Sequence, residues 1–332
     1  MANQKPKKTG KKNSQPEPKK DLKETKEVKE TKDVKETKTA TAEAKTTTTV
    51  ASASSNPLKG FFARKYGEGE NILTIFKTPK IWGALLGELL GTFLITAVLL
   101  LVGTFGGMFQ YAIYLAPALI FIYIMMVKVS GANFNPLITA GMMATRRMSA
   151  IRGILYMLAQ LLGAWLALII VNAFRLGSGT AAELPIMNEV TGENFWTVAL
   201  IELIGAIILG VCFARAIRYS KRNALTFAFA VVSSLIFVVV IGATISQGFF
   251  QYSTSFTFNP VVALMYQILP TAADNLGELA QMAGLAAAAY IVFPVVGGIV
   301  GFYLSDIMTR LAGDGYGCEI DNPVCAKLSD KK

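Results

Sequence analysis

Six apolar runs, each close to twenty residues, constrain this chain before anything else does: about 82–103, 111–129, 150–173, 196–217, 224–245 and 285–308. A helix rises about 1.5 Å per residue, so a run of that length crosses a hydrocarbon core of about 30 Å. Lipid offers no hydrogen bonds, and a segment crossing it must satisfy its own backbone. With 53% hydrophobic and 16% charged residues, the composition fits a multi-spanning membrane protein better than a soluble enzyme.

Two further segments are too short to cross. The stretch Ser130-Gly131-Ala132-Asn133-Phe134-Asn135-Pro136-Leu137-Ile138-Thr139 is a polar loop between apolar runs. Its Asn-Pro predicts a helix start, because asparagine is a preferred N-cap and proline at the first helical position gives up only an N–H that has no helical partner. A second Asn-Pro, Asn259-Pro260, follows Phe258 as the first follows Phe134, in the matching place of a second set of runs. Segment 135–147 would be only about 20 Å long as a helix, so it enters the bilayer and stops midway or lies on the surface. The expected fold is an all-α membrane protein with six transmembrane helices and two re-entrant half-helices.

Arginine and lysine set the expected orientation. Arg146, Arg147 and Arg152 follow the first half-span, and Arg215, Arg218, Lys221 and Arg222 follow the fourth span, whereas 104–110 is uncharged. The positive-inside rule makes these loops cytoplasmic and both termini cytoplasmic, in a multi-pass protein of the cell membrane. Each half, about 80–173 and 196–308, then holds three spans. Three is odd, so the halves insert with opposite topology as an inverted repeat, and the half-spans enter from opposite faces.

Residues 1–60 hold 15 lysines against 8 acids, so the basic pI describes the tail and not the spans. Residues 1–58 repeat a Lys-Glu/Asp pattern with little apolar content, which predicts a disordered, solvated cytoplasmic arm, as 311–332 is expected to be a cytoplasmic C-terminal tail. No nucleic-acid partner is expected. No short apolar core with a cleavage site follows the charges, so the first span is expected to act as the targeting signal.

Irregular backbone at membrane depth is tolerated only where protein buries it or water lines it, so two half-spans from opposite faces imply a pathway. Their helix N-termini would bring partial positive charge to the midplane, with the Asn135 and Asn259 amides as donors to a passing oxygen. Such a centre repels cations and suits neutral solutes. Glu88 and Glu202 lie within apolar spans, where a carboxylate is expensive unless partnered; each is expected to brace the neighbouring loop by accepting its donors.

These motifs resemble those of the aquaporin and glycerol-facilitator family, the major intrinsic proteins. Ser130–Thr139 is similar to the family's Ser-Gly-Ala-His-x-Asn-Pro-Ala-Val-Thr, and Gly87-Glu88-Leu89-Leu90-Gly91-Thr92 to its first-helix motif. Glu202 resembles the glutamate of the second half, and Phe293-Pro294-Val295-Val296-Gly297-Gly298 the sixth-helix motif. Gln160 matches another family position and reads as a polar packing group on the third span. The resemblance covers about 80–310. It implies a passive channel for water, glycerol or similar neutral solutes in a lipid bilayer, assembled as a homotetramer with one pore per subunit.

The departures are specific. Leu137 and Val261 stand where the family has alanine, and Val262 stands where it usually has the arginine of the outer constriction. Carried over by offset, the other constriction positions are Leu115 and Gln247, with Phe256 in the loop before Asn259. A ring without a fixed cation should admit neutral solutes larger than water. An inverted-repeat secondary transporter or a strict water channel are the alternatives. No nucleophile–base pair or phosphate loop supports an enzyme, and no cofactor is expected. With three cysteines and no histidine in the chain, neither is a metal site.

Overall fold

The computed structural model describes residues 75–102, 108–177, 190–220, 223–251, 256–268 and 276–311. The expected tail at 1–58, and all of the expected C-terminal tail but Leu311, lie outside the described residues. Among the described residues, five long helical units form the frame: α1 Pro79–Val102, α4 Ala150–Gly177, α5 Phe195–Ser220, α6 Ala224–Phe250 and the final α8–α9 unit, Leu276–Ala287 and Phe293–Leu311. Each contains a stretch long and apolar enough to cross a membrane. Between α1 and α4 lie α2, Met108–Met126, and the short α3, Pro136–Ala144; after α6 comes α7, Pro260–Ala263. The bundle's outward faces carry large apolar side chains such as Trp82, Phe121, Trp165 and Trp196, which is how helices meet lipid.

The last helical unit begins at Leu276, nine residues before the expected 285, and its membrane-length stretch runs from Ala280 to Leu311. Apolar run length ends at Glu278 and Gln281, whereas the helix continues past them. Inside this crossing, Ala288–Val292 widens into a π-helical turn in which the Phe293 N–H donates to the Ala288 carbonyl. Pro294 follows directly. Proline supplies no N–H and clashes with the carbonyl four residues back, and a widened turn relieves both faults.

The two halves repeat the same contacts. α1 packs on α4 through Gly163, where an added Cβ would stand 2.2 Å from the Leu89 carbonyl oxygen; α5 packs on α9 through Gly297, where it would stand 2.5 Å from the Leu203 carbonyl oxygen. Gly91 faces the ring of Phe134 as Gly205 faces that of Phe258, each with 2.1 Å between the built Cβ and the ring. Glycine thus permits the close backbone approach at Gly163 and Gly297, and the approach occurs at equivalent places.

The two larger residues after Asn-Pro are absorbed sideways. Leu137 is fully buried against Gly298 of α9, whose missing Cβ leaves the room. Val261 packs with Ala164 of α4 and Met265. Neither borders the cavity that both asparagines line.

Candidate functional site

The loop before α3 is held by one carboxylate. Ala132 and Phe134 have φ of 54° and 52°, a left-handed conformation uncommon for such residues. It turns two successive N–H groups the same way: Asn133 N–H donates to Glu88 Oε1 at 3.0 Å and Phe134 N–H to Oε2 at 2.7 Å. Gln160 Nε2 donates to the same Oε2 at 2.8 Å and to Thr139 Oγ1 at 3.1 Å. Gln160 is thus more than a packing group, which run length and polarity alone did not reveal.

The second loop copies the two backbone donors and lacks a counterpart of Gln160. Phe258 has φ of 45°, and Thr257 N–H and Phe258 N–H donate to Glu202 at 2.9 and 3.1 Å. Pro294 occupies the position that corresponds to Gln160, counted from the Gly163 and Gly297 contacts, and proline brings no amide. Glu88 and Glu202 are both fully buried.

Asn135 caps α3 with its own oxygen, accepting from Leu137 N–H at 3.0 Å. Its Nδ2 crosses to the other half and donates to the Phe258 carbonyl at 2.7 Å. Asn259 returns the bond, Nδ2 donating to the Phe134 carbonyl at 3.0 Å. Each amide therefore spends one N–H on the opposite loop and keeps one. The recurring Phe-Asn-Pro was the available signal, since the phenylalanine carbonyls are the acceptors. Asn259 does not cap α7, and its Oδ1 has no protein partner.

Both asparagines border a cavity of about 30 Å³, room for about two waters. Tyr123 and Thr257 add the other polar groups; Ile95, Leu99, Leu209 and Leu235 give an aliphatic wall, and Phe213 a ring. Tyr123 and Thr257 escaped the sequence reading because neither belongs to the Asn-Pro motif.

Of the residues expected at an outer constriction, none borders this cavity. Leu115 and Val262 are each 1% exposed within the apolar core. Phe256 is buried, its ring 6.1 Å from that of Phe258 in a stacked arrangement. Gln247 is exposed, whereas Ser246 and Gly242, one helical turn apart, are buried on the inner face of α6. A helix turns about 100° per residue, so an offset one position out leaves the interior. Gly242 of α6 lies beside Phe256, with 3.2 Å from its built Cβ to the ring. Among the described residues no group of acidic, cysteine or histidine side chains could hold a metal.

A family model described as "Major intrinsic protein" matches residues 75–305. Among solved structures, the chain is similar to the X-ray structure of the aquaglyceroporin from Plasmodium falciparum, with 20% identity and a TM-score of 0.55 over 71% of this chain and 100% of that one. At that identity the likeness is one of fold. No curated protein matches.

Proposed function

Because this chain belongs to the major intrinsic protein family, as the match over residues 75–305 shows, we propose that it is a passive channel for small neutral solutes, glycerol-type polyols and water in particular. The observation that carries this reading is the reciprocal bonding of Asn135 and Asn259 around the central cavity. Two helix N-termini converge there, which disfavours cations. One N–H of each amide stays available to a hydroxyl or water oxygen.

The wall supports a polyol. Tyr123, Asn135, Thr257 and Asn259 supply hydrogen-bonding groups, while the aliphatic residues offer CH contact. The solved neighbour is described as an aquaglyceroporin, in line with this. Val262 stands where the family usually has a filter arginine, so this position brings no fixed charge. Glu88 and Glu202 act as braces rather than as coupling acids, since the loops' N–H groups already occupy them. The arginine-rich end of the bundle faces the cytoplasm, and four copies assemble with one pore each in the cell membrane.

Stopped-flow light scattering on proteoliposomes tests the proposal. Glycerol and water should equilibrate faster than in empty vesicles, downhill and without regard to ion gradients. Flux that requires a sodium or proton gradient would identify a secondary transporter, and water flux without glycerol flux a strict water channel.

A further inference from the structure

We infer that a second constriction, built from Tyr123, Phe213 and Phe227, closes the central cavity toward the arginine-rich end and sets the largest solute that passes. The inference rests on the channel reading and adds where its size limit lies.

Three helices bring these rings together. Tyr123 stands one turn before the end of α2, Phe213 shortly before Arg215 and Arg218 on α5, and Phe227 in the first turn of α6. Tyr123 and Phe227 have ring centroids 6.3 Å apart, Phe213 and Phe227 5.4 Å in an edge-to-face pair. Edge-to-face and offset pairs are the favourable aromatic geometries, so the cluster holds its shape.

Two of the three, Tyr123 and Phe213, also border the cavity, together with both asparagines. Phe213 and Phe227 are 0% exposed and Tyr123 5%, so the three rings are packed side chains with little free surface. A solute leaving the cavity toward the arginine-rich end has to move past them. By contrast, none of Leu115, Gln247, Phe256 and Val262 borders the cavity.

The cluster is anchored from behind. Phe302 of α9 lies 6.3 Å from Phe213, and the Arg147 guanidinium stands 5.2 Å over the Phe302 ring. Arg147 in turn bonds Asp306 at 2.7 Å. Phe302 also fills the space left by Gly141 of α3, where an added Cβ would meet its ring at 2.3 Å. The floor is tied both to the first half-helix and to the last crossing.

The test uses full-length protein in proteoliposomes and a polyol series of three, four and five carbons: glycerol, erythritol and ribitol. Phe213→Ala should raise ribitol flux roughly tenfold, the scale on which a fitted apolar site discriminates one methylene group, while glycerol flux changes far less. Phe213→Leu keeps an apolar filling and should give a smaller rise, and it decides the matter where the alanine variant does not assemble. An assembled variant that passes glycerol but keeps the wild-type cutoff overturns the inference. So does a cutoff that shifts on Phe256→Ala and not at Phe213, which would place the limit at the other end. Wild-type protein that passes neither glycerol nor water would instead defeat the channel reading itself.

Discussion

Glu88 satisfies donors from Asn133, Phe134 and Gln160, and Glu202 satisfies donors from Thr257 and Phe258. A buried donor left without an acceptor costs about 1–3 kcal/mol, so Glu88→Ala should destabilise by on the order of 3 kcal/mol or more, and by more than Glu202→Ala does. Thermal melting in detergent reads the order directly; equal losses would mean that Gln160 finds another acceptor at no cost. Gln160→Leu removes a donor to Glu88 and to Thr139, and its melting temperature should fall less than that of Glu88→Ala, because both backbone N–H groups keep their partner. Phe134 and Phe258 invite a different experiment. Their φ values of 52° and 45° suit glycine, yet their rings fill the hollows at Gly91 and Gly205. Replacing either by glycine should destabilise, since the lost apolar burial, about 3–5 kcal/mol for a buried phenylalanine, exceeds the backbone strain of 1–3 kcal/mol that is relieved.

Between elements, the contacts that matter are those where backbones touch. Gly163→Ala places a methyl 2.2 Å from the Leu89 carbonyl oxygen, and neither backbone can step aside without parting α1 from α4. A cost of about 3 kcal/mol or more follows, visible as loss of monodisperse protein on size exclusion. Gly83→Ala, with nothing within 4 Å of the added methyl, should behave as wild type. Element existence was legible because length and apolarity decide it: α1, α4, α5 and α6 lie where the runs place them. The final crossing was legible in its core and not at its start, because its first turns carry polar residues. The paired Asn-Pro motifs were legible as helix starts, since proline at the first helical position is a local rule: α3 begins at Pro136 and α7 at Pro260. The lateral facts were not legible: that Gln160 reaches Glu88, or that Gly242 lies beside Phe256 while Gln247 is exposed, depends on helix rotation, which an offset count does not fix.

For the molecule as a whole, the arm at residues 1–58 should be dispensable, because its composition gives it nothing to pack with. Deleting it should leave glycerol permeability per assembled protein unchanged, and a several-fold change either way would make it a gate. The reciprocal bonds between Asn135 and the Phe258 carbonyl, and between Asn259 and the Phe134 carbonyl, reach further. Residue i of one half touches residue j of the other, and j's counterpart touches i's, which is the pattern of an isologous dimer interface. The protein is in this sense a homodimer written on one chain, its two protomers set head to foot in the bilayer. A half synthesised alone would leave its asparagine amide and phenylalanine carbonyl unanswered at membrane depth, so it should be degraded when produced singly and rescued when both halves are produced together as separate chains.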